Sequence, residues 1–177
     1  MGLRWVGPLA AMVSISACTG PIETRVSSSG VALSGGRTIL EEQHASPSDI
    51  LLQARALTLQ QLGNHGFSLA PNGKQKLDVT VSERPANLLI TAGSEHHKAV
   101  LSSPKTKKPL QSCADTEFSL VVRLTNVASG AELYQGRAAE FHCKATIADV
   151  LPFLVDAALA DLGSPKGEHV IKRLGLD

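Results

Sequence analysis

The side chains best able to do chemistry in this 177-residue chain are three cysteines, Cys18, Cys113 and Cys143, and the histidines His96, His97 and His142. Cys143 directly follows His142, a juxtaposition that in a suitable fold gives an imidazole-activated thiolate. A nucleophilic thiol must stay free, however, and Cys113 offers Cys143 a partner. Between the two, "TEFSLVVRLTNVASGAELYQGRAAEFHC" alternates Phe118, Leu120, Val122 and Leu124, passes the turn-like "NVASG" and runs extended from Glu132 to Phe141. A hairpin centred on Ala128 sets Cys113 opposite Cys143, so a disulfide is expected, with a bulge able to shift the register by one. His96 and His97 are adjacent and on a regular strand point to opposite faces, so joining one metal requires a bent loop and a third ligand such as His142 or Glu95. A solvated loop is the plainer reading, and no metal site is assigned. The chain contains no G-x-S-x-G elbow, P-loop or G-x-G-x-x-G. No catalytic residue and no cofactor are expected.

Cys18 sits in a different setting. Arg4 precedes an apolar run from Trp5 to Ile15, broken by Gly7, Pro8 and Ser14, and small residues then lead into the cysteine. That is the order of a secretory signal, too short and too interrupted for a membrane span of about 20 apolar residues. Ile15, Ser16, Ala17 and Cys18 resemble the lipobox of bacterial lipoproteins. The resemblance implies removal of residues 1–17, lipidation of Cys18 and attachment to a membrane by acyl chains, including palmitate. Thr19, where sorting rules of that family place Asp for inner-membrane retention, implies an outer-membrane, periplasm-facing location. An exported compartment also favours the Cys113–Cys143 bridge. Residues 18–30 are polar and rich in Gly, Pro and Ser and are read as a lipidated flexible tether, leaving a single domain over residues 31–177.

Loss of residues 1–17 removes Arg4 alone and brings the net charge from +1 to near zero. That balance excludes the basic footprint of a nucleic-acid binder. With four Phe, one Tyr and one Trp, the core must be built from Leu, Val, Ala and Ile.

The elements expected to carry these residues follow from periodicity and capping. A first helix is predicted over residues 47–62, with Ser46 as N-cap, Pro47 in first position, Asp49 in the first turn and Gly63 as stop. A second is predicted from near Asp149, so that Pro152 falls in its first turn, with Leu151, Leu154, Val155, Ala158, Leu159 and Leu162 at helical spacing and an end at Gly163. Strands are expected at about 31–41, 67–70, 77–82, 88–91, 99–102, in the hairpin and at 168–174. The stretch 93–112 reads as a mobile insertion with Lys105, Lys107 and Lys108, a cluster suited to anionic lipid headgroups or simply to solvent. The fold class is α+β, a mainly antiparallel sheet with two helices packed on one face.

The runs "FSLVVRLTNVASGAELYQGRAAE" and "ADVLPFLVDAALADLGSPKGEHVIKRL" resemble the small envelope lipoproteins of the domain of unknown function 4136 family. The matching pieces are the Ser129–Gly130 turn, the L-Y-x-G strand of Leu133 to Gly136 and the connection "GSPKG". Leu162 and Gly163 stand where that family has an aromatic-Pro step. The resemblance implies architecture and location but no activity. The expected function is that of a non-catalytic, membrane-anchored accessory or protein-interaction module of the envelope. Binding or transport of an envelope lipid is the alternative, and a metal-binding protein or metal-dependent enzyme at His96 and His97 is a third.

Overall fold

A computed structural model describes residues 21–41, 48–94, 97–102, 104–107, 111 and 113–175. Cys18, Ser46, Pro47, His96 and Lys108 lie outside them. The fold is α+β, built from nine strands and two helices among the described residues: β1 (Ile22–Gly30), β2 (Arg37–Leu40), α1 (Asp49–Asn64), β3 (Phe67–Ala70), β4 (Gln75–Pro85), β5 (Ile90–Ser94), β6 (His97–Ser102), β7 (Thr116–Asn126), β8 (Glu132–His142), α2 (Ile147–Leu159) and β9 (Gly167–Arg173). Seven strands form one sheet in the order β3-β2-β4-β7-β8-β1-β9, and β5 and β6 pair as a separate hairpin. The sheet is mixed, a correction to the antiparallel expectation. β2 runs parallel to β3 and β4 while the other pairs are antiparallel. The cause is the β2-α1-β3 unit, in which a helix returns the chain to start the next strand in the same direction.

Strand β1 overturns the tether expected at residues 18–30. It bonds to β8 on one side and to β9 on the other, so the folded domain starts at Ile22 and not at residue 31. Its polar composition conceals a period of two in which Ile22, Thr24, Val26 and Ser28 are buried. Two of these four are polar, and each has a buried carboxylate to bond. The Thr24 hydroxyl donates to Glu140 at 2.5 Å and the Ser28 hydroxyl to Asp161 at 2.7 Å.

The core fills the space between one sheet face and the helices. Phe118, Leu120, Val122 and Leu124 of β7, Tyr134 and Ala138 of β8, and Leu77 of β4 meet Ala54 and Leu62 of α1 and Leu151, Leu154 and Leu159 of α2. Each large aliphatic side chain buried there contributes about 1.5–3 kcal/mol. α1 begins at Asp49 behind Ser48, runs past Gly63, and the chain turns at Gly66, whose φ of +82° is the left-handed conformation that favours glycine. α2 starts two residues before the expected position because Thr146 and Asp149 form a reciprocal capping box. Pro152 therefore lies in the second turn. The bond it deletes belongs to the carbonyl of Ala148, and both residues are exposed, so water can satisfy that oxygen. The stretch 93–112, expected as an insertion, contains the end of β5 and all of β6.

Candidate functional site

One end of the sheet brings together Cys113, Cys143 and His142. β1 begins there with Ile22 opposite Arg173, β4 finishes there with Pro85 opposite Thr116, and β8 ends there with His142 opposite Thr116. The β7–β8 ladder runs two positions out of register with a hairpin centred on Ala128. One position comes from a turn that closes through the amide of Asn126 on the carbonyl of Ala131, the other from a bulge between Leu124 and Thr125. Cys113 and Cys143 consequently lie just beyond the ladder, where the structure joins them as a disulfide with Cα atoms 5.6 Å apart. That separation is ordinary for such a bridge. In this arrangement the Cys143 sulfur is held in a disulfide and is not a free nucleophile. His142 turns inward, is 2% exposed, and packs its ring against Phe118 with centroids 6.0 Å apart.

Two buried carboxylates flank this end, one on each face of the sheet. On the helix face, Glu140 is fully buried and meets the Arg173 guanidinium at 3.1 and 2.7 Å, His142 Nε2 at 2.7 Å and the Thr24 hydroxyl. Burial alone pushes its carboxyl up, but the bonds from His142, Arg173 and Thr24, with the Arg173 charge, hold it down at about 2. Arg173 also lies 3.9 Å over the ring of Phe153 and so ties β9 to α2. On the opposite face, Glu117 is 1% exposed and accepts from Arg25 at 2.6 Å, from Arg84, and from Arg137 at 3.3 Å. Here too burial raises the carboxyl, and Arg25 and Arg84 bring it below the usual carboxylate range. Phe141 beside it carries Arg25 at 4.3 Å and the Lys105 ammonium at 4.9 Å from its ring centroid.

Neither carboxylate is poised for acid–base work, since both are held well below neutral pH and are covered by cations. Among the described residues no cluster of three or more His, Cys, Asp or Glu is placed to hold a metal ion. His97 opens β6 opposite Ser94, and Lys105 is bound to Asp115 at 2.6 Å, whereas Lys107 is exposed. A cleft of ≈ 100 Å³ lies between α1 and α2, lined by Leu57, Gln60, Gln61, Pro152, Val155 and Asp156. Sequence reasoning missed Glu117 and Glu140. The available signal was the spacing of Glu140 and His142, two apart on a strand and therefore on the same face as Ala138.

The L-Y-x-G strand has a structural meaning. The Tyr134 hydroxyl donates to the carbonyl of Ala158 at 2.7 Å, and Gly136 lets that same carbonyl approach the sheet. Burial, then the nearby Asp161 charge, raises the Tyr134 hydroxyl and keeps it a donor.

The sequence matches no family model and no curated protein. Two crystal forms of a PelC dodecamer from Paraburkholderia phytofirmans, one of a point variant, align at 13% identity over 81% of this chain and 99% of theirs, with TM-scores of 0.47 and 0.49. A PDZ domain protein from Parabacteroides distasonis aligns at 9% identity and TM-score 0.53 over 86% of this chain, which spans 39% of that protein. At that identity the last is a likeness of fold.

Proposed function

We propose that this chain is an exported bacterial lipoprotein, held at the outer membrane by acyl groups on Cys18 and facing the periplasm, where it serves as a non-catalytic interaction module of the envelope. The observation that carries the reading is the order Ile15-Ser16-Ala17-Cys18 followed, four positions after the cysteine, by the first strand of a folded domain. A processing site placed just ahead of the first strand leaves the folded domain whole when the leader is removed. The resemblance to the domain of unknown function 4136 lipoproteins supports the same reading, as does a cysteine pair suited to an oxidising compartment. The interaction role is supported by β9, a seven-residue edge strand that among the described residues is bonded within the sheet to β1 alone. Such an edge offers backbone donors and acceptors to a partner protein. The cleft between the helices gives the lipid-carrying alternative no support, being smaller than the roughly 300–1,000 Å³ of typical ligand pockets.

Cys18→Ser tests the anchor. Metabolic fatty-acid label is expected on the wild-type protein and absent from the variant, which accumulates as precursor or in the soluble fraction. A variant that keeps both label and membrane fractionation refutes the assignment.

A further inference from the structure

After Pro85 the chain turns through Ala86 and Asn87 and presents Leu88, Leu89 and Ile90 to solvent, with exposures of 48%, 57% and 39%. Three consecutive large apolar side chains at this exposure form a patch, unlike the scattered apolar residues of an ordinary surface. The turn is fixed to the sheet. Arg84 Nη1 donates to the carbonyl of Leu88 at 2.7 Å while its Nη2 holds buried Glu117. The Ala86 amide donates to the carbonyl of Asp115 at 3.0 Å, and the Lys105 amide to that of Ala86 at 2.7 Å. The same bonds bring the segment of Lys105 and Lys107 against the turn, and the Lys107 side chain is exposed.

This patch lies at the end of the sheet where β1 begins. Cys18 precedes Ile22 by four positions, a span of at most ~14 Å for an extended chain. An anchor at Cys18 therefore brings the Ile22 end, and with it the apolar turn, to the bilayer surface, while the β7–β8 turn around Val127 faces away.

We propose that this end of the domain is itself a membrane-contacting surface: Leu88, Leu89 and Ile90 enter the headgroup–acyl boundary of an anionic bilayer, with the exposed Lys107 at the level of the lipid phosphates. Apolar side chains flanked by cations are the combination that such a boundary accepts. The proposal rests on the lipoprotein reading and adds an orientation to it. The anchored domain stands with β9 side-on to the periplasm, accessible to a partner.

The test uses the sequence itself. Trp5 is the sole tryptophan of the chain and leaves with the leader, so the mature lipoprotein has none, and Leu89→Trp or Val127→Trp installs a single reporter. Each full-length variant is expressed for processing in the cell, purified, checked by mass, and reconstituted into phosphatidylglycerol–phosphatidylethanolamine vesicles with brominated acyl chains. Insertion by the 5–10 Å typical of interfacial segments predicts a loss of Leu89→Trp emission on the order of twofold and no change for Val127→Trp. Replacing phosphatidylglycerol with a zwitterionic lipid should reduce the loss, and Lys107→Gln should do the same. Unquenched Leu89→Trp in protein whose mass shows an acylated Cys18 overturns the surface and leaves the anchor standing. Equal quenching at both positions overturns the orientation. Unmodified Cys18, or retention of residues 1–17, refutes the anchor and this surface with it.

Discussion

Glu140 should set the acid limit of this fold. Its carboxyl is held at about 2 against an ordinary value of 4.5, so the folded state binds the proton more weakly than the unfolded chain does. The contribution to stability is fully present above pH 4.5 and is lost as the pH falls through the folded value near 2. At 1.36 kcal/mol per unit, the difference is about 3 kcal/mol, with little solvent screening because Glu140 is fully buried between Thr24, His142 and Arg173. Glu117, held below the usual carboxylate range by Arg25 and Arg84, adds its own acid sensitivity, so a comparison with a variant isolates the contribution of Glu140. Glu140→Gln keeps the shape and removes the charge. Urea unfolding of both proteins from pH 7 to pH 2 should show the variant less stable by about 3 kcal/mol at neutrality. The two curves should converge toward pH 2, where the wild-type side chain in the folded state is about half protonated. Parallel curves across the whole range would refute the assignment of Glu140 as a buried, cation-stabilised carboxylate.

Two further outcomes follow from the packing. The Cys113–Cys143 bridge closes a separation of 30 residues, so replacing both with Ser should cost about 3.5 kcal/mol on the chain-entropy model and lower the melting temperature by roughly 10 °C, and non-reducing peptide mapping of envelope-derived protein should recover the linked pair. Gly136→Ala places a methyl group on the Ala158 carbonyl and must lift α2 from β8; a loss above about 3 kcal/mol is expected in denaturant unfolding, against a few tenths for Gly163→Ala, where the added carbon meets nothing.

How much of this could be read from the residues depends on whether polarity and position agree. α2 was legible because its apolar positions repeat at helical spacing and because Thr146 and Asp149 are the residue types that cap. β3 was legible on different grounds, as a short stretch with Phe67 and Leu69 alternating with smaller residues between Gly66 and Pro71. β1 was not, because Thr24 and Ser28 face inward and their hydroxyls are satisfied by Glu140 and Asp161, residues over a hundred positions away. A polar run with its partners that distant has the composition of a tether. The parallel pairing of β2 failed to show because a four-residue strand carries too little pattern to reveal its direction. At the candidate site, the cysteine pair was legible from the hairpin, though the bulge moved the register. The ion clusters of Glu117 and Glu140 were not, since the arginines that make burial tolerable come from β1, β4, β8 and β9. The L-Y-x-G run was visible as a pattern, but its purpose required Ala158.

The place of β1 in the sheet has a consequence for the order in which the molecule assembles. Its neighbours are late in the chain, with Arg25 opposite Ala139 and Ile22 opposite Arg173, whereas the β7–β8 hairpin and the capping box of α2 form from residues close in sequence. Closing so long a loop before any pairing rewards it is slow, so the hairpin and α2 make the better nucleus and β1 is the strand sewn in last. Until the first strand arrives, β8 is a temporary edge of the sheet and β9, whose ladder is made with β1, has no strand to join. A substitution that weakens β1, such as Val26→Ala, acts after the folding barrier and shows itself chiefly as faster unfolding.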